Sequence, residues 1–533
     1  MTGGLLRMTG AEGSVAGRGG RLSALLALAA LTLSGCAPLP PNSGAQAGRP
    51  AVLRPDYAGT VIPPNIAPLN FLVQEPGDRF FVEISAGAGS PIEVLSKTPE
   101  IRIPSRKWHR LLEANRGGTL HFRIKVRSAE RGWVAFDPIE NRVASEDIDG
   151  YLAYRLIKPL FNYWRHVGIY QRNLQSFQER TILSGETLAE ACVNCHSFLS
   201  NRTQQMSIGL RSGFHGSGTL LIDGNEVTAL GAKWGYNSWH PGGGLVAVTL
   251  MDVHQFFHAV GTELRDVVDL DSDLVIYHAD GRKVDTAGAL ADPDRLESYP
   301  CWTPDGRALY YCSAAFPFKD RTRVPPDNYR QVRYDLRRIT YDTARNAWGR
   351  PETVVSAEDA GGSALLPRVS PDGRWVVFCL CDYGCFPIFH ASSDLYLLDV
   401  KTGEYRQLAI SSDRSESWHS WSSNGRWLAF SSKRRDGLFT RTYISYFDQQ
   451  GRAAKPFILP QEDPGFYDTF LKTYTVPELI AEPVRVRPRA LAAAAKSQAK
   501  IKLEMPETSM TPRETSGRPA ASGTDAWIQA PRR

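Results

Sequence analysis

No apolar run in these 533 residues is long enough to span a bilayer. The longest, Leu22–Leu33, covers twelve residues, and a spanning helix needs roughly 20. Gly-x-Ser-x-Gly is also missing, which removes the nucleophile elbow of an α/β-hydrolase. Cysteine is scarce, eight in the whole chain, so no disulfide-dense framework is present. Excess charge is missing from the body. The chain carries +6, but residues 484–533 hold ten Lys/Arg against four Asp/Glu, and residues 1–35 hold three Arg against one Glu. The remaining body is at −2 and has no nucleic-acid footprint. At 42% hydrophobic it can bury a large core, and its length allows two to four domains.

What is present centres on Cys192-Val193-Asn194-Cys195-His196-Ser197. This is C-x-x-C-H, the attachment motif for a c-type haem. Cys192 and Cys195 each supply a thiol for a thioether to one porphyrin edge, and His196 supplies the proximal iron ligand. A zinc half-site would want a second Cys/His pair at ligand spacing, yet the next cysteine is Cys301. A thioredoxin-like pair would want a βαβ setting, which the flanking sequence does not suggest.

Haem is attached to such motifs outside the cytoplasm, and the N-terminus provides for export. Arg7, Arg18 and Arg21 precede the Leu22–Leu33 run, as in a secretory signal. Leu33-Ser34-Gly35-Cys36 follows and resembles a bacterial lipobox. That resemblance implies that residues 1–35 are removed and Cys36 is lipidated. An ordinary signal peptide with an incidental cysteine is the alternative. Ala37 follows the cysteine, and by resemblance to enterobacterial sorting this favours the outer over the inner membrane. Acyl chains on one residue would tether a soluble body to a membrane surface, with residues 36–55, rich in Pro, Gly, Ala and Ser, as a flexible linker. The expected compartment is the periplasm.

Residues 56–145 read as all-β. Phe80–Ile84 and His121–Val126 alternate or run apolar at strand length, punctuated by glycine. Ile62-Pro63-Pro64-Asn65-Ile66-Ala67-Pro68 resembles the entry strand of an immunoglobulin-like or fibronectin-like sandwich. Residues 146–204 are expected to be a helical haem segment. Tyr151–Ile157 begins a helical pattern, Gln171–Arg180 allows a second helix, and Glu186–Asn194 a short one carrying the thiols. The aromatic residues Tyr163, Trp164 and Tyr170 could wall a porphyrin, although ordinary core packing explains them as well.

Four later stretches share a strand–turn–strand pattern: Trp239–Val248, Trp302–Tyr311, Val369–Phe378 and Trp421–Phe430. Pro, Asp or Asn, and Gly at the corners satisfy a tight turn. A second strand pair follows each, most clearly at Asp394–Glu404, and two hairpins make a four-stranded blade. The turn glycines 243, 306, 373 and 425 lie 63, 67 and 52 residues apart, more than a minimal blade of about 40–45, so inserted loops are expected. These repeats resemble the WD40-like propeller repeats of the TolB family. Gly218–Val227 looks like the outer half of a further blade. The expected fold is therefore mainly β: a sandwich at 56–145, the haem segment, a TolB-like propeller of five or six blades over 205–483, and a basic tail at 484–533 in which Leu491–Lys500 allows a helix and the rest reads as disordered.

Met206 is the nearest thioether and the candidate distal ligand. His166, His215, His240, His254 and His258 are alternatives within reach of a folded chain. Cys301, Cys312, Cys379, Cys381 and Cys385 form an odd set that could fill blade cores, bind metal or form a disulfide. The architecture resembles bacterial lipoproteins that place one C-x-x-C-H before a TolB-like propeller. The implied function is a membrane-anchored monohaem cytochrome that transfers electrons, with the propeller docking a redox partner or cell-envelope protein. The alternative is a protein-binding scaffold lipoprotein with a structural or sensory haem. An enzyme ranks third.

Overall fold

The computed structural model describes residues 45–159, 164–260, 263–318, 320, 323–506 and 508. The export signal, the lipobox with Cys36 and the end of the tail lie outside them. Among the described residues no helix is long and apolar enough to cross a membrane.

The N-terminal module is built on Thr119–Ser128, in which Leu120, Phe122, Ile124 and Val126 alternate inward, the period-two pattern of a half-buried strand. It belongs to a seven-stranded sheet, and the module also contains a small three-stranded one. Two pairings in the large sheet are parallel: Ala45–Pro50 with Gly132–Asp137, and Ile139–Val143 with Val61–Ile62. The module is not all-β, because Ser105–Ala114 is a helix burying Trp108, Leu111 and Leu112. Those positions are spaced i, i+3, i+4, one helical face. Trp108 is fully buried, packs edge-on against Phe122, and donates from Nε1 to the Ile66 carbonyl at 3.1 Å. Trp108→Ala is expected to destabilise this module by about 3–5 kcal/mol, measurable by denaturant unfolding.

After residue 150 the described residues form six sheets. The motif sheet runs outward from Cys192–Leu199 through Arg202–Arg211, Gly218–Asp223 and Glu226–Leu230. The second, third, fourth and fifth sheets begin at Asn237–Trp239, Arg295–Trp302, Ser363–Val369 and Glu416–Trp421. The last has a divided origin. Its inner strand is Thr473–Ile480, and its outer strands are Tyr151–Ile157, Gly168–Asn173 and Glu179–Ser184. Each inner strand packs against the next, and the inner strand of this closing sheet meets Cys192–Leu199 to complete a ring.

The expected hairpins are present, with Gly243, Gly306, Gly373 and Gly425 at φ 77°, 70°, 71° and 66°, the left-handed corner that favours glycine. Gly218–Val227 is indeed the outer half of a sheet. The helical segment expected at 146–204 is not. Tyr151–Ile157 and Gly168–Asn173 are strands, and Cys192 and Cys195 lie on a strand. Local pattern loses here to pairing with Thr473–Ile480, some 320 positions along the chain.

The tail is ordered further than its composition suggests. Pro488–Lys496 is a helix burying Leu491 and Ala495, and it packs on strands of the closing and motif sheets. Ile501 then bridges to Leu230, and Lys500 Nζ donates to the Gly216 carbonyl at 2.8 Å. The segment straps the seam between the two sheets.

Candidate functional site

Each inner strand except that of the second sheet carries a β-bulge at one level of the ring. The bulged residues Cys195, Tyr299, Leu366, Trp418 and Val476 have φ of 45°, 53°, 57°, 43° and 51°. Left-handed backbone is costly for such side chains, above all for β-branched valine. The bulge turns one residue of each strand inward. These residues, with Tyr236 from the second sheet, line a cavity on the ring axis, joined by His196, Asn237 and Arg368.

The arrangement is that of a β-propeller. No family model matches this chain, and no curated protein matches it. Among solved structures it is similar to TolB from Acinetobacter baumannii (14% identity, 68% of this chain and 79% of that one, TM-score 0.40). It is also similar to the β-propeller domain of the Trilobed protease from Pyrococcus furiosus (12%, 71% and 98%, TM-score 0.30). A third is the oligogalacturonate lyase of Vibrio parahaemolyticus (13%, 71% and 100%, TM-score 0.30). The fold rests on the ring of sheets itself.

The bulge level explains part of the motif. Cys195-His196-Ser197-Phe198 occupies the place of Tyr236-Asn237-Ser238-Trp239, Tyr299-Pro300-Cys301-Trp302, Leu366-Pro367-Arg368-Val369, Trp418-His419-Ser420-Trp421 and Val476-Pro477-Glu478-Leu479. The C-H step is thus one copy of a repeat running round the ring. Sequence reading missed this four-residue repeat, although all six copies are visible in the chain.

The copies differ in how the imidazole is used. His419 Nε2 meets the Val377 carbonyl at 2.9 Å, and its Nδ1 faces the Cys379 thiol at 3.9 Å. His196 is equally buried, yet neither ring nitrogen has a hydrogen-bond partner among the described residues. Burial, with Arg155 and Arg368 nearby, pushes its pKa down to about 3. A neutral ring with free nitrogens suits a metal ligand, and buried nitrogens without partners are costly. The strand itself is held firmly. Ser197 Oγ and Ser207 Oγ both bond Asn237 Oδ1, and Trp239 Nε1 donates to Ser197 Oγ at 3.2 Å.

Both thiols of the motif are free and buried. Cys192 lies directly opposite Arg211, whose guanidinium donates to its sulfur at 3.3 Å and stacks over Trp164. Burial raises the pKa of Cys195, while Arg155, Arg211 and Lys233 lower it. The residue types are those of a c-type haem site, but Cys195 and His196 line the axial cavity and Cys192 does not. The space is tighter. The axial cavity is about 40 Å³, room for a water or two, whereas a ligand of drug size takes roughly 300–1,000 Å³. Tyr236, Trp418 and Phe386 pack together across the axis, and Tyr299 Oη donates to the Cys385 carbonyl at 2.6 Å. A porphyrin at His196 requires these side chains to part.

The other sequence candidates separate. Met206 is fully buried in an apolar cluster with Val193, Ile208, Leu220 and Ile222, paired with Phe198. His240 contacts the Gly306 carbonyl, while His254 and His258 face Asp252 and Asp266. His215 lies near the strap and His166 in a short turn. None of these lines the axial cavity. Cys301, Cys312, Cys379, Cys381 and Cys385 are all free and buried in the sheets and their loops. The Cys381, Cys385 and Cys301 thiols donate to backbone carbonyls. Among the described residues no group of three or more His, Cys, Asp or Glu has the geometry to hold a metal ion.

Proposed function

We propose that this chain is a haem-binding protein of the bacterial periplasm. Cys192 and Cys195 attach one c-type haem, and His196 is its proximal ligand. The observation carrying the reading is the contrast between His196 and His419: same place in the repeat, same burial, but only His196 keeps both nitrogens free. The haem supplies a one-electron couple. The protein's part is to hold the imidazole neutral and oriented through the Ser197–Asn237–Trp239 bonds, and to keep water from it. The ring, read as six blades, and the N-terminal module, read as an immunoglobulin-like spacer, present this site to a redox partner. Cys36 is proposed as the lipid anchor and Met206 as the distal ligand. Met206 would have to leave its apolar cluster to serve.

The test is mass spectrometry and a pyridine haemochrome assay on the full chain from a host equipped for cytochrome maturation. One covalent haem is expected, and a Cys192→Ser/Cys195→Ser double variant is expected to lose it while retaining its thermal transition. Two unmodified thiols in the wild type would overturn the reading.

A second reading rests on the closed axis and on C-H being a repeat position: a protein-binding scaffold in which any haem is structural or sensory. It predicts that a partner copurifies equally well with wild type and with the double variant.

A further inference from the structure

The hairpin of the second sheet is longer than its place in the ring requires. Its strands, Leu245–Phe257 and Arg265–His278, run for 13 and 14 residues. The inner strand Asn237–Trp239 pairs only with Val246, Ala247 and Val248. From Leu250 to the tip the hairpin leaves its own blade, and its partners come from across the ring. Beside the third sheet, Tyr329 packs edge-on against Phe256, ring centres 5.1 Å apart. From the loop after Trp375–Cys381 of the fourth sheet, Tyr383 Oη donates to Asp266 at 2.9 Å and Cys385 Sγ to the Val267 carbonyl at 3.7 Å. The Arg265 guanidinium lies 4.1 Å over the Phe389 ring of the same loop. Lys433, next after Trp427–Ser432 of the fifth sheet and almost wholly buried, pairs with Glu263. In a ring of six the fifth sheet stands opposite the second. The hairpin therefore crosses the mouth of the axis.

Phe386 lies between this hairpin and the axial cavity. It stacks on Phe389 and packs on Tyr236 and Trp418, which line the cavity with Cys195 and His196. The closure is loosely made. A space of about 10 Å³ stays open at the hairpin base between Val267, Asp269, Tyr334 and Cys385, room for one water. His390 Nε2 is buried yet stands 3.8 Å from Asp266, outside hydrogen-bond reach. Phe257, Val260 and Leu264 near the tip face solvent, so the tip is held by charge and not by apolar packing. We infer that this hairpin is a lid on the axial site. It is latched at the tip by Lys433–Glu263 and along its side by Tyr383–Asp266, and a ligand of His196 enters when it lifts and Phe386 moves aside. This deepens the reading above and rests on His196 taking a ligand; it adds how the site is opened. Elements that move to admit a ligand are drawn from the least stable parts of a fold.

The test uses the full chain with its thiols unmodified. It follows their alkylation by iodoacetamide under native conditions, resolved peptide by peptide by mass spectrometry. Lys433→Glu sets two carboxylates against each other at the tip. Cys195 in the cavity and Cys385 under the hairpin are then expected to react about tenfold faster. Cys312 and Cys379, fully buried on strands of the third and fourth sheets, should keep their wild-type rates. Adding Glu263→Lys restores opposite charges and should bring both fast rates back. Tyr383→Phe removes the side latch without changing charge, and should give the same selective rise if Lys433→Glu fails to fold. Equal Cys195 rates in wild type, Lys433→Glu and Tyr383→Phe would overturn the inference. So would a rise shared by Cys312 and Cys379, the mark of general loosening. Absence of haem from the matured wild type would overturn the haem reading instead, and leave these rates as they are.

Discussion

A chain ended at Lys472 is expected to show no cooperative unfolding transition. It lacks Thr473–Ile480, the inner strand of the closing sheet. Without it Tyr151–Ile157 becomes an unpaired edge, although it is buried almost throughout. Arg155 loses Thr475, and Asn201 loses the Leu479 carbonyl it bonds at 2.7 Å. An exposed apolar edge recruits other chains, so aggregation should accompany the loss. Circular dichroism melts and light scattering check both. A chain ended at Arg487 keeps the strand and loses only the strap from Pro488 on. It should still melt cooperatively, at a lower temperature.

The second large effect is on acid stability. His196 and His419 both have folded pKa values pushed down to about 3 by burial, against an ordinary 6.5. Below pH 6.5 the unfolded chain takes up protons at these sites while the folded chain does not. Stability is therefore greatest above that pH and falls continuously as pH drops towards 3. At about 1.4 kcal/mol per pH unit, each histidine costs up to roughly 5 kcal/mol over that window. Urea melts across pH 3–7 should show the decline, and His419→Gln should make it about half as steep. Glu297 works in the opposite direction. Burial raises its carboxyl to about 8, so folding favours its protonated form and stability falls as pH rises from about 4.5 to about 8. Glu297→Gln should remove that decline between about pH 4.5 and 8.

How much of this was legible in the sequence depended on the range of the interaction that fixes each element. The four hairpins were readable because the turn carries its own chemistry: Thr303 Oγ1 bonds Asp305 at 2.6 Å, and Gly306 takes the left-handed corner. The motif hairpin was misread because it turns on Ser200-Asn201, at φ 48° and 62°, without the Pro-Asp-Gly signal. Two consecutive left-handed residues make a two-residue hairpin turn. Tyr151–Ile157 was misread because its partner is at the far end of the chain. The helix Ser105–Ala114 was missed although Trp108, Leu111 and Leu112 announce one face. At the site, the C-x-x-C-H spacing itself was plain. The cations were not. Arg155, Arg211 and Lys233 are far apart in the chain and have no spacing that would join them. The difference between His196 and His419 depends on what lies around each ring, which only the folded ring provides.

The divided closing sheet has a consequence in time. Synthesis delivers the strand bearing Cys192 and Cys195 nearly three hundred residues before the strand that seals the circle beside it. Until Ile480 has emerged, that flank has no wall, and Cys195 lacks Val476 across the axial cavity. Whatever is to be fixed there has its easiest access while the polypeptide is still arriving.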